Sequence, residues 1–202
     1  GALRESQHVF IRHGVQYFLE SHPDQKEISL FEMGMGTGLN LILTIEQALK
    51  HPEIHFKYTT LEAFPLSWET VEQLNYLSMI SNGALASHFA KIHQLPWDEI
   101  ADVLPNFELN KLSLKLEEFA PAEQAFDLIY YDAFAPNKQA ELWTRDVMFK
   151  ISNTMKINAI FVTYSAKGQL KRDLKSLGLE VESLAGPPGK AEMIRAVKTT
   201  SV

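Results

Sequence analysis

The sequence predicts an α/β fold built on a doubly wound, mostly parallel sheet. Three observations predict it. Short apolar strands alternate with amphipathic helices, the strand over 28–33 runs into a turn with three glycines, and the last two predicted strands are consecutive. Alternation places a crossover helix between parallel neighbours, whereas consecutive strands pair in antiparallel fashion at an edge. We therefore expect one domain over 1–202, with 1–27 as an N-terminal extension that packs on its core.

Hydrophobic spacing and turn residues give the elements in order. A helix is predicted within 9–19, and Ser67 is a suitable N-cap for a helix that runs to about 79. The stretch 125–132 is apolar almost throughout and ends in an acid, as in a strand buried on both faces of a parallel sheet. The remaining predictions are strands over 55–62, 107–116, 159–164, 181–184 and 192–197, and helices over 39–50, 84–103 (broken near Pro96), 141–155 and 169–177.

Composition excludes several classes of protein. The 202 residues are 46% hydrophobic and 22% charged, which is typical of a soluble globular protein, and no apolar run is long enough to span a membrane. The chain has no cysteine, which excludes disulfides and thiolate metal sites and fits a cytoplasmic protein. No H-E-x-x-H spacing occurs, and we predict no metal.

Charge is distributed unevenly along the chain. Residues 138–202 hold 11 Lys and Arg against 6 Asp and Glu, whereas residues 1–137 hold 8 against 19. This asymmetry predicts either a basic face on an acidic body or a chance excess of solvated lysines. The basic face over 167–175 shows the same ambiguity, because Lys167, Lys171, Arg172 and Lys175 form either a phosphate-binding stripe or a solvated face.

The glycine-rich turn after the first strand is the strongest functional motif. It reads Gly34-x-Gly36-x-Gly38, unlike the G-x-G-x-x-G of dinucleotide sites, and Glu32 precedes it. A carboxylate there would repel a diphosphate and suit a cationic ligand, such as the methionine moiety of S-adenosylmethionine. The alternative is an ordinary strand-to-helix turn.

Three further positions carry chemistry. Glu62 ends the second predicted strand, where an acid can accept both ribose hydroxyls of an adenosine. Asp132 ends the buried strand at the edge of the sheet where ligands bind, beside aromatic residues that could stack on a base. Lys190, in the turn Gly186-Pro187-Pro188-Gly189, could meet a phosphate. Each position also has a purely structural interpretation: Glu62 as a surface carboxylate, Asp132 as an acid that caps a turn, and the segment with Lys190 as a β-turn.

Four blocks of the chain resemble one family. They are Glu32 to Asn40, Leu61-Glu62-Ala63-Phe64-Pro65-Leu66, Asp132-Ala133-Phe134-Ala135-Pro136 with Leu142-Trp143-Thr144, and Gly189-Lys190-Ala191-Glu192-Met193. Together they resemble the MnmC/MnmD-type enzymes, which are class I methyltransferases dependent on S-adenosylmethionine. The family methylates 5-aminomethyl-2-thiouridine at the tRNA wobble position to 5-methylaminomethyl-2-thiouridine.

The resemblance implies a Rossmann-like sheet of seven strands, with the last strand antiparallel. It also implies that Asp132 faces the amine to be methylated. The cofactor would contact Glu32, Gly34, Met35, Gly36, Thr37, Gly38, Asn40, Glu62, Ala63 and Phe64. The substrate would contact Tyr131, Phe134, Pro136 and Lys190.

The resemblance further implies partners for the chain. They are the tRNA anticodon arm, met through the basic C-terminal third, and a separate enzyme that makes the aminomethyl precursor. No flavin is expected in this chain. The family's usual acid after the third strand has no clear counterpart in Leu112-Ser113-Leu114-Lys115-Leu116, so the adenine contact is not assigned.

Three alternatives remain at this point. A nicotinamide oxidoreductase would need G-x-G-x-x-G and no acid at position 32. A small-molecule amine methyltransferase or an aminopropyl transferase would share the fold and suit the acidic N-terminal two-thirds. A non-catalytic module of the same fold would not need Asp132 beside aromatic residues.

Overall fold

The computed structural model describes residues 1–74 and 83–200. Its centre is a sheet of eight strands in the order β3-β4-β2-β1-β5-β6-β8-β7. The strands are β1 (Glu27–Met33), β2 (His55–Leu61), β3 (Ile100–Leu104), β4 (Phe107–Leu112), β5 (Phe126–Tyr131), β6 (Met155–Thr163), β7 (Leu179–Ala185) and β8 (Glu192–Lys198).

The five central strands, β4, β2, β1, β5 and β6, are parallel, as the alternating pattern predicted. Strand β8 lies between β6 and β7 and is antiparallel to both. Met33 is paired with Leu61 on one side and with Tyr131 on the other, and Leu61 is paired with Leu112. The carboxyl ends of four strands therefore meet at one edge of the sheet.

Helices cover both faces of this sheet. The N-terminal helix α1 has three consecutive parts, Ala2–Ser6, the wider π-helical turn region Gln7–Gln16, and Tyr17–Ser21. The other helices are α2 (Leu39–Lys50), α3 (Trp68–Val71), α4 (Ala84–Gln94), α5 (Arg145–Thr154), which follows the 3-10 turn Ala140–Trp143, and α6 (Gly168–Ser176). Two apolar cores result. The first lies under α1, α2 and α4, and the second under α5 and α6. Within the described residues, no helix is both long and apolar enough to cross a membrane.

Several predicted boundaries need correction. The predicted helical region over 84–103 ends at Gln94, and its last part is strand β3, antiparallel to β4. The sheet therefore has eight strands where seven were expected, with β3 added at the edge beyond β4. The strand predicted over 107–116 ends at Leu112, and of the helix predicted over 67–79, residues 75–79 lie outside the described residues.

Asn106 explains why the chain turns back between β3 and β4. Its side-chain Nδ2, which carries two hydrogens, lies within hydrogen-bonding distance of the backbone carbonyls of Ala48, His51 and Ile54, at 3.0, 3.1 and 3.0 Å. Ala48 lies in the last turn of α2 and His51 is its C-cap, so one side chain ties the hairpin to the end of that helix. A long-range contact of this kind leaves no periodic signal in the residues of β3 itself.

Candidate active site

A cavity of about 530 Å³ lies at the carboxyl ends of β1, β2, β4 and β5. In open α/β sheets this is the edge at which ligands bind, because the loops that leave neighbouring strands diverge there. The cavity is lined by the glycine turn, by the residues that follow β2, β4 and β5, and by the start of α1. The predicted residues that line it are Gly34, Met35, Gly36, Thr37, Asn40, Glu62, Ala63, Phe64, Asp132 and Phe134.

The glycine turn is held in a conformation that only glycine adopts readily. Gly34, Gly36 and Gly38 have φ values of 88°, 52° and 75°. The amides of Gly34 and Met35 donate to the carbonyl of Leu61, at 3.0 and 3.2 Å, which ties the turn to the end of β2. Gly38 is the N-cap of α2, and a Cβ there would lie 2.9 Å from Nε2 of His93. Gly38 therefore shapes the turn without lining the cavity.

Glu62 connects the two loops at the cavity. Its Oε2 accepts a hydrogen bond from the amide of Gly36 at 3.0 Å, and its Oε1 accepts one from the amide of Phe64 at 3.0 Å. Each carboxylate oxygen keeps a further lone pair, and the residue lines the cavity. A carboxylate fixed in this way has acceptors for two hydroxyl donors from a vicinal diol.

Asp132 lies just beyond β5 and lines the same cavity. Its Oδ2 accepts a hydrogen bond from Nδ2 of Asn40 at 2.8 Å. The pKa of Asp132 is raised from 3.8 to about 7, mainly by burial. The hydrogen bond from Asn40 and the charge of Lys190 oppose this rise, and the negative charge of Glu5 adds to it. A carboxyl group with a pKa near neutrality can accept a proton from a bound ligand at physiological pH.

Glu32 does not line the cavity, which corrects its predicted contact with the cofactor. It is fully buried beneath the glycine turn, where Oγ1 of Thr60 donates to its Oε2 at 2.9 Å. The pKa of Glu32 is raised from 4.5 to about 8, mainly by burial, and the hydrogen bond from Thr60 opposes this rise whereas the charge of Asp132 adds to it. The carboxyl group is therefore protonated at neutral pH. Since a neutral acid does not repel a diphosphate, Glu32 does not select a cationic ligand by its charge.

Three buried oxygen atoms lack a hydrogen-bond partner among the described residues: Oε1 of Glu32, Oδ1 of Asn40 and the hydroxyl of Tyr58. Tyr58 and Asn40 are both close enough to Glu32 to influence its pKa. A protonated Glu32 can supply the missing donor to one of these oxygens, which lowers the cost of burying them. The acid thus belongs to the support beneath Asn40, and Asn40 in turn holds Asp132.

Three residues predicted to bind the substrate do not line the cavity. Tyr131 is fully buried in the second core, and its hydroxyl donates to the carbonyl of Leu142, which does not fit the predicted contact with substrate. Pro136 is only partly buried but lies outside the lining. Lys190 is at the rim, where its Nζ is 2.9 Å from Glu5 and 4.0 Å from the ring centre of Tyr164.

The structure adds lining residues that the sequence did not indicate. Helix α1 contributes Ala2, Glu5, Ser6 and Phe10, and the segment after β4 contributes Lys115, Leu116 and Glu117. Glu117 provides an acid on the side of β4, five residues beyond the end of that strand at Leu112. It therefore lies just outside the stretch 112–116, in which the sequence comparison with the family looked for an acid. No local pattern marks Glu5, since only the packing of α1 on the sheet brings it to the site.

The charge of the lining fits S-adenosylmethionine. The cavity is lined by one lysine, Lys115, and by five carboxyl groups, those of Glu5, Glu62, Glu117, Asp132 and Glu141, so the lining attracts a ligand with a sulfonium and an ammonium. Glu62 presents its acceptors at the position expected for a ribose. Among the described residues, no group of three or more His, Asp or Glu side chains is placed to hold a metal ion.

Comparisons with known proteins agree with this geometry. A family profile described as "S-adenosyl-L-methionine-dependent methyltransferase" matches residues 87–199. The chain is 31% identical to the "tRNA 5-methylaminomethyl-2-thiouridine biosynthesis bifunctional protein MnmC" of Idiomarina loihiensis, over 94% of this chain and 33% of the relative. It is 26% identical to the protein of that name from Methylobacillus flagellatus, over 95% of this chain and 30% of the relative. The chain thus spans about a third of these relatives.

A solved structure confirms the fold class. The crystal structure of MnmC2 from Aquifex aeolicus superposes with a TM-score of 0.72 and 22% identity, over 100% of this chain and 62% of that one. The resemblance predicted from four sequence blocks is confirmed by relatives of that name, and the family profile covers more than half of the residues. The chain belongs to the S-adenosyl-L-methionine-dependent methyltransferases.

Proposed function

We propose that this chain transfers a methyl group from S-adenosylmethionine to the 5-aminomethyl nitrogen of a 2-thiouridine at the tRNA wobble position. The product would be 5-methylaminomethyl-2-thiouridine. The observation that carries the proposal is the position of Asp132, a carboxyl group with a raised pKa in a cavity lined by acids. Such a site suits a cationic amine, and the curated relatives are named for the biosynthesis of this nucleoside.

The glycine turn and the carboxylates would hold the cofactor. Gly34 and Gly36 let the backbone approach the methionine and ribose parts closely, and Glu62 would accept hydrogen bonds from the ribose hydroxyls. Glu117 is the acid available to an adenine amino group on the side of β4. When bound, the cofactor supplies an electrophilic methyl group on its sulfonium.

Asp132 would prepare the amine for attack. Only the neutral amine has a lone pair, so a protonated amine must first lose a proton, and the ionised Asp132 can accept it. Its other contact, Nδ2 of Asn40, fixes the direction of the carboxylate and so the direction of the nitrogen lone pair. Transfer would form the nitrogen–carbon bond as the carbon–sulfur bond breaks, and the ammonium product would release its second proton to solvent, because Asp132 already carries the first. Fixed alignment supplies much of the rate.

The basic C-terminal third supports an interaction with the anticodon arm. On α6 and just before it, Lys167, Arg172 and Lys175 are exposed, whereas Lys171 is paired with Glu192 at 2.7 Å. Exposed cations of this kind bind phosphates and release counterions, which makes binding weaker as the salt concentration rises. A substrate that is a tRNA would place the enzyme in the cytoplasm. A separate enzyme would have to supply the aminomethyl group.

The test uses tRNA from cells that lack this methylation. Wild-type protein and labelled S-adenosylmethionine should give label at the wobble uridine, identified by nuclease digestion and mass spectrometry. Asp132→Asn should bind S-adenosylhomocysteine as the wild type does but decrease the rate by about 100-fold or more, because it cannot accept the proton. Absence of label with wild-type protein, or near-wild-type single-turnover rates with Asp132→Asn and Asp132→Ala, would refute the proposal.

One observation favours a second candidate. The excess of carboxyl groups around the cavity also suits a small amine such as a polyamine, as substrate of an amine methyltransferase or an aminopropyl transferase. Putrescine tested beside the tRNA decides between them. The nicotinamide alternative has no support, since the chain belongs to the methyltransferases.

A further inference from the structure

The start of helix α1 forms one wall of the cavity, and this wall carries a second acid. Glu5 lines the cavity together with Asp132, and its charge contributes to the raised pKa of Asp132. The two acids come from distant parts of the chain, one from an N-terminal helix and one from the end of β5.

The only ion pair formed by Glu5 among the described residues is with Lys190, at 2.9 Å. The pair joins α1 to the turn between β7 and β8, and the charges of both side chains act on the pKa of Asp132. Both side chains are partly exposed, at 32% for Glu5 and 38% for Lys190. A partly exposed pair is weak because water competes for both charges, so an ionic ligand can separate it at small cost.

Lys190 is held in place by more than Glu5. Its Nζ lies 4.0 Å above the ring of Tyr164, and the hydroxyl of Tyr164 donates to the carbonyl of Ala133 at 2.7 Å. The turn itself is closed by the amide of Lys190 on the carbonyl of Pro187, at 2.9 Å. A Cβ on Gly186 would lie 2.5 Å from the carbonyl oxygen of Lys190, so this tight turn requires glycine. The lysine therefore stays at the rim if Glu5 releases it.

We propose that Glu5 is a substrate-binding carboxylate that receives the cationic amine beside Asp132, and that Lys190 exchanges Glu5 for a backbone phosphate of the incoming RNA. The inference rests on the proposed function and deepens it. An aminomethyl-nucleotide carries a positive amine and a negative phosphate, and the Glu5–Lys190 pair offers one partner for each. On binding, the Glu5–Lys190 ion pair is replaced by two ion pairs, one between Glu5 and the amine and one between Lys190 and the phosphate, so every charge at the rim keeps a partner. A nucleotide without the amine would leave Glu5 facing Asp132 without a cation.

The competing explanation is that the pair is only a strut between α1 and the β7–β8 turn. The two explanations differ in what each half of the pair does. If the pair only connects the two segments, Glu5→Gln and Lys190→Met break the same ion pair, so they change KM equally and the double variant changes it no further. In the exchange, each variant removes a different interaction with the substrate, so the two increases in KM multiply.

The experiment measures methylation of the unmethylated tRNA by wild type, Glu5→Gln, Lys190→Met and the double variant at several salt concentrations. We expect Glu5→Gln to raise KM by about 10-fold or more, with an unchanged salt dependence, because it removes a charge-assisted hydrogen bond to the amine. Lys190→Met should raise KM and also lower the slope of log KM against log salt by about one. The double variant should show the product of the two increases.

Titration with S-adenosylhomocysteine controls for folding and for the cofactor site, since all four proteins should bind it equally. The inference is overturned if the two single variants and the double variant raise KM equally, or if neither raises it. It is also overturned if Lys190→Met leaves the salt slope unchanged. If the wild type itself transfers no methyl group to this tRNA, the proposed function fails and the inference falls with it, whereas an active wild type with indistinguishable variants refutes the inference alone.

Discussion

Glu32→Gln tests whether the buried acid beneath the glycine turn is protonated in the folded protein. Glutamine has the shape of a protonated glutamate and does not titrate, so it should fit the same site. The pKa of Glu32 is raised from 4.5 to about 8 by burial. Between these two pH values the unfolded chain loses the proton and the folded protein keeps it. The folded state therefore binds more protons, and this group makes wild-type stability fall as pH rises.

The magnitude follows from the shift. One pKa unit corresponds to about 1.36 kcal/mol, so the decrease in stability between pH 5 and pH 8 is about 4 kcal/mol. This is a large part of the roughly 5 to 15 kcal/mol typical of a domain. Glu32→Gln should be close to wild type in stability at pH 5 and about 4 kcal/mol more stable at pH 8.

Urea unfolding followed by circular dichroism at pH 5, 6.5 and 8 measures this difference. Subtraction of the wild-type curve cancels the titrating groups that do not interact with position 32. Glu20→Gln is the matched control, since Glu20 is exposed and its replacement should give a difference that does not grow with pH. A gap between Glu32→Gln and wild type that stays constant from pH 5 to pH 8 would show that Glu32 is ionised in the fold.

Three further predictions concern the cavity. The kcat/KM of methyl transfer should fall as pH drops below about 7, because Asp132 becomes protonated, and this fall should be absent in Asp132→Asn. If the variant shows the same fall, another group causes it. Glu62→Gln should weaken S-adenosylhomocysteine binding by about 10-fold in calorimetry, because the glutamine side chain has one acceptor oxygen, whereas the backbone amides of Gly36 and Phe64 and the ribose hydroxyls need two. An unaltered Kd would contradict this role of Glu62. Gly38→Ala should lower stability by about 1 to 3 kcal/mol in thermal unfolding, because the φ of 75° strains an alanine and its Cβ would clash with His93. The decrease should be larger than for Gly36→Ala, whose Cβ would meet no atom within 4 Å, and equal decreases would show that the clash does not contribute.

The central part of the fold could be predicted from the sequence because its signals are local. The apolar strand before Gly34 and the apolar run ending at Asp132 each show in a window of fewer than about ten residues. Strand β3 could not be predicted, since apolar residues over 84–103 fit either a helix or a strand. The hairpin depends on Asn106, whose partners lie more than 50 residues away in sequence.

The candidate site divides in the same way. Loops after strands could be placed from position alone, which brought Glu62 and Asp132 to the right edge of the sheet. Burial could not be predicted, so Glu32 was expected in the cavity and Tyr131 at the substrate, although both are buried beneath it. Glu5 was missed because its role depends on a tertiary contact with the far end of the chain.

The wall formed by α1 sets the order in which the site can form. It is attached to the C-terminal hairpin by contacts of very large sequence separation: His8 bonds the carbonyl of Ala185, 177 residues away, and the guanidinium of Arg195 lies 3.4 Å above the ring of Tyr17. Closing so long a loop costs more entropy than closing a local one, so we expect these contacts to form after the local strand–helix units. On the ribosome, the segment with Glu5 emerges long before β8, to which it must attach. The contacts that attach α1 to the C-terminal hairpin can therefore form only after β8 has been synthesised.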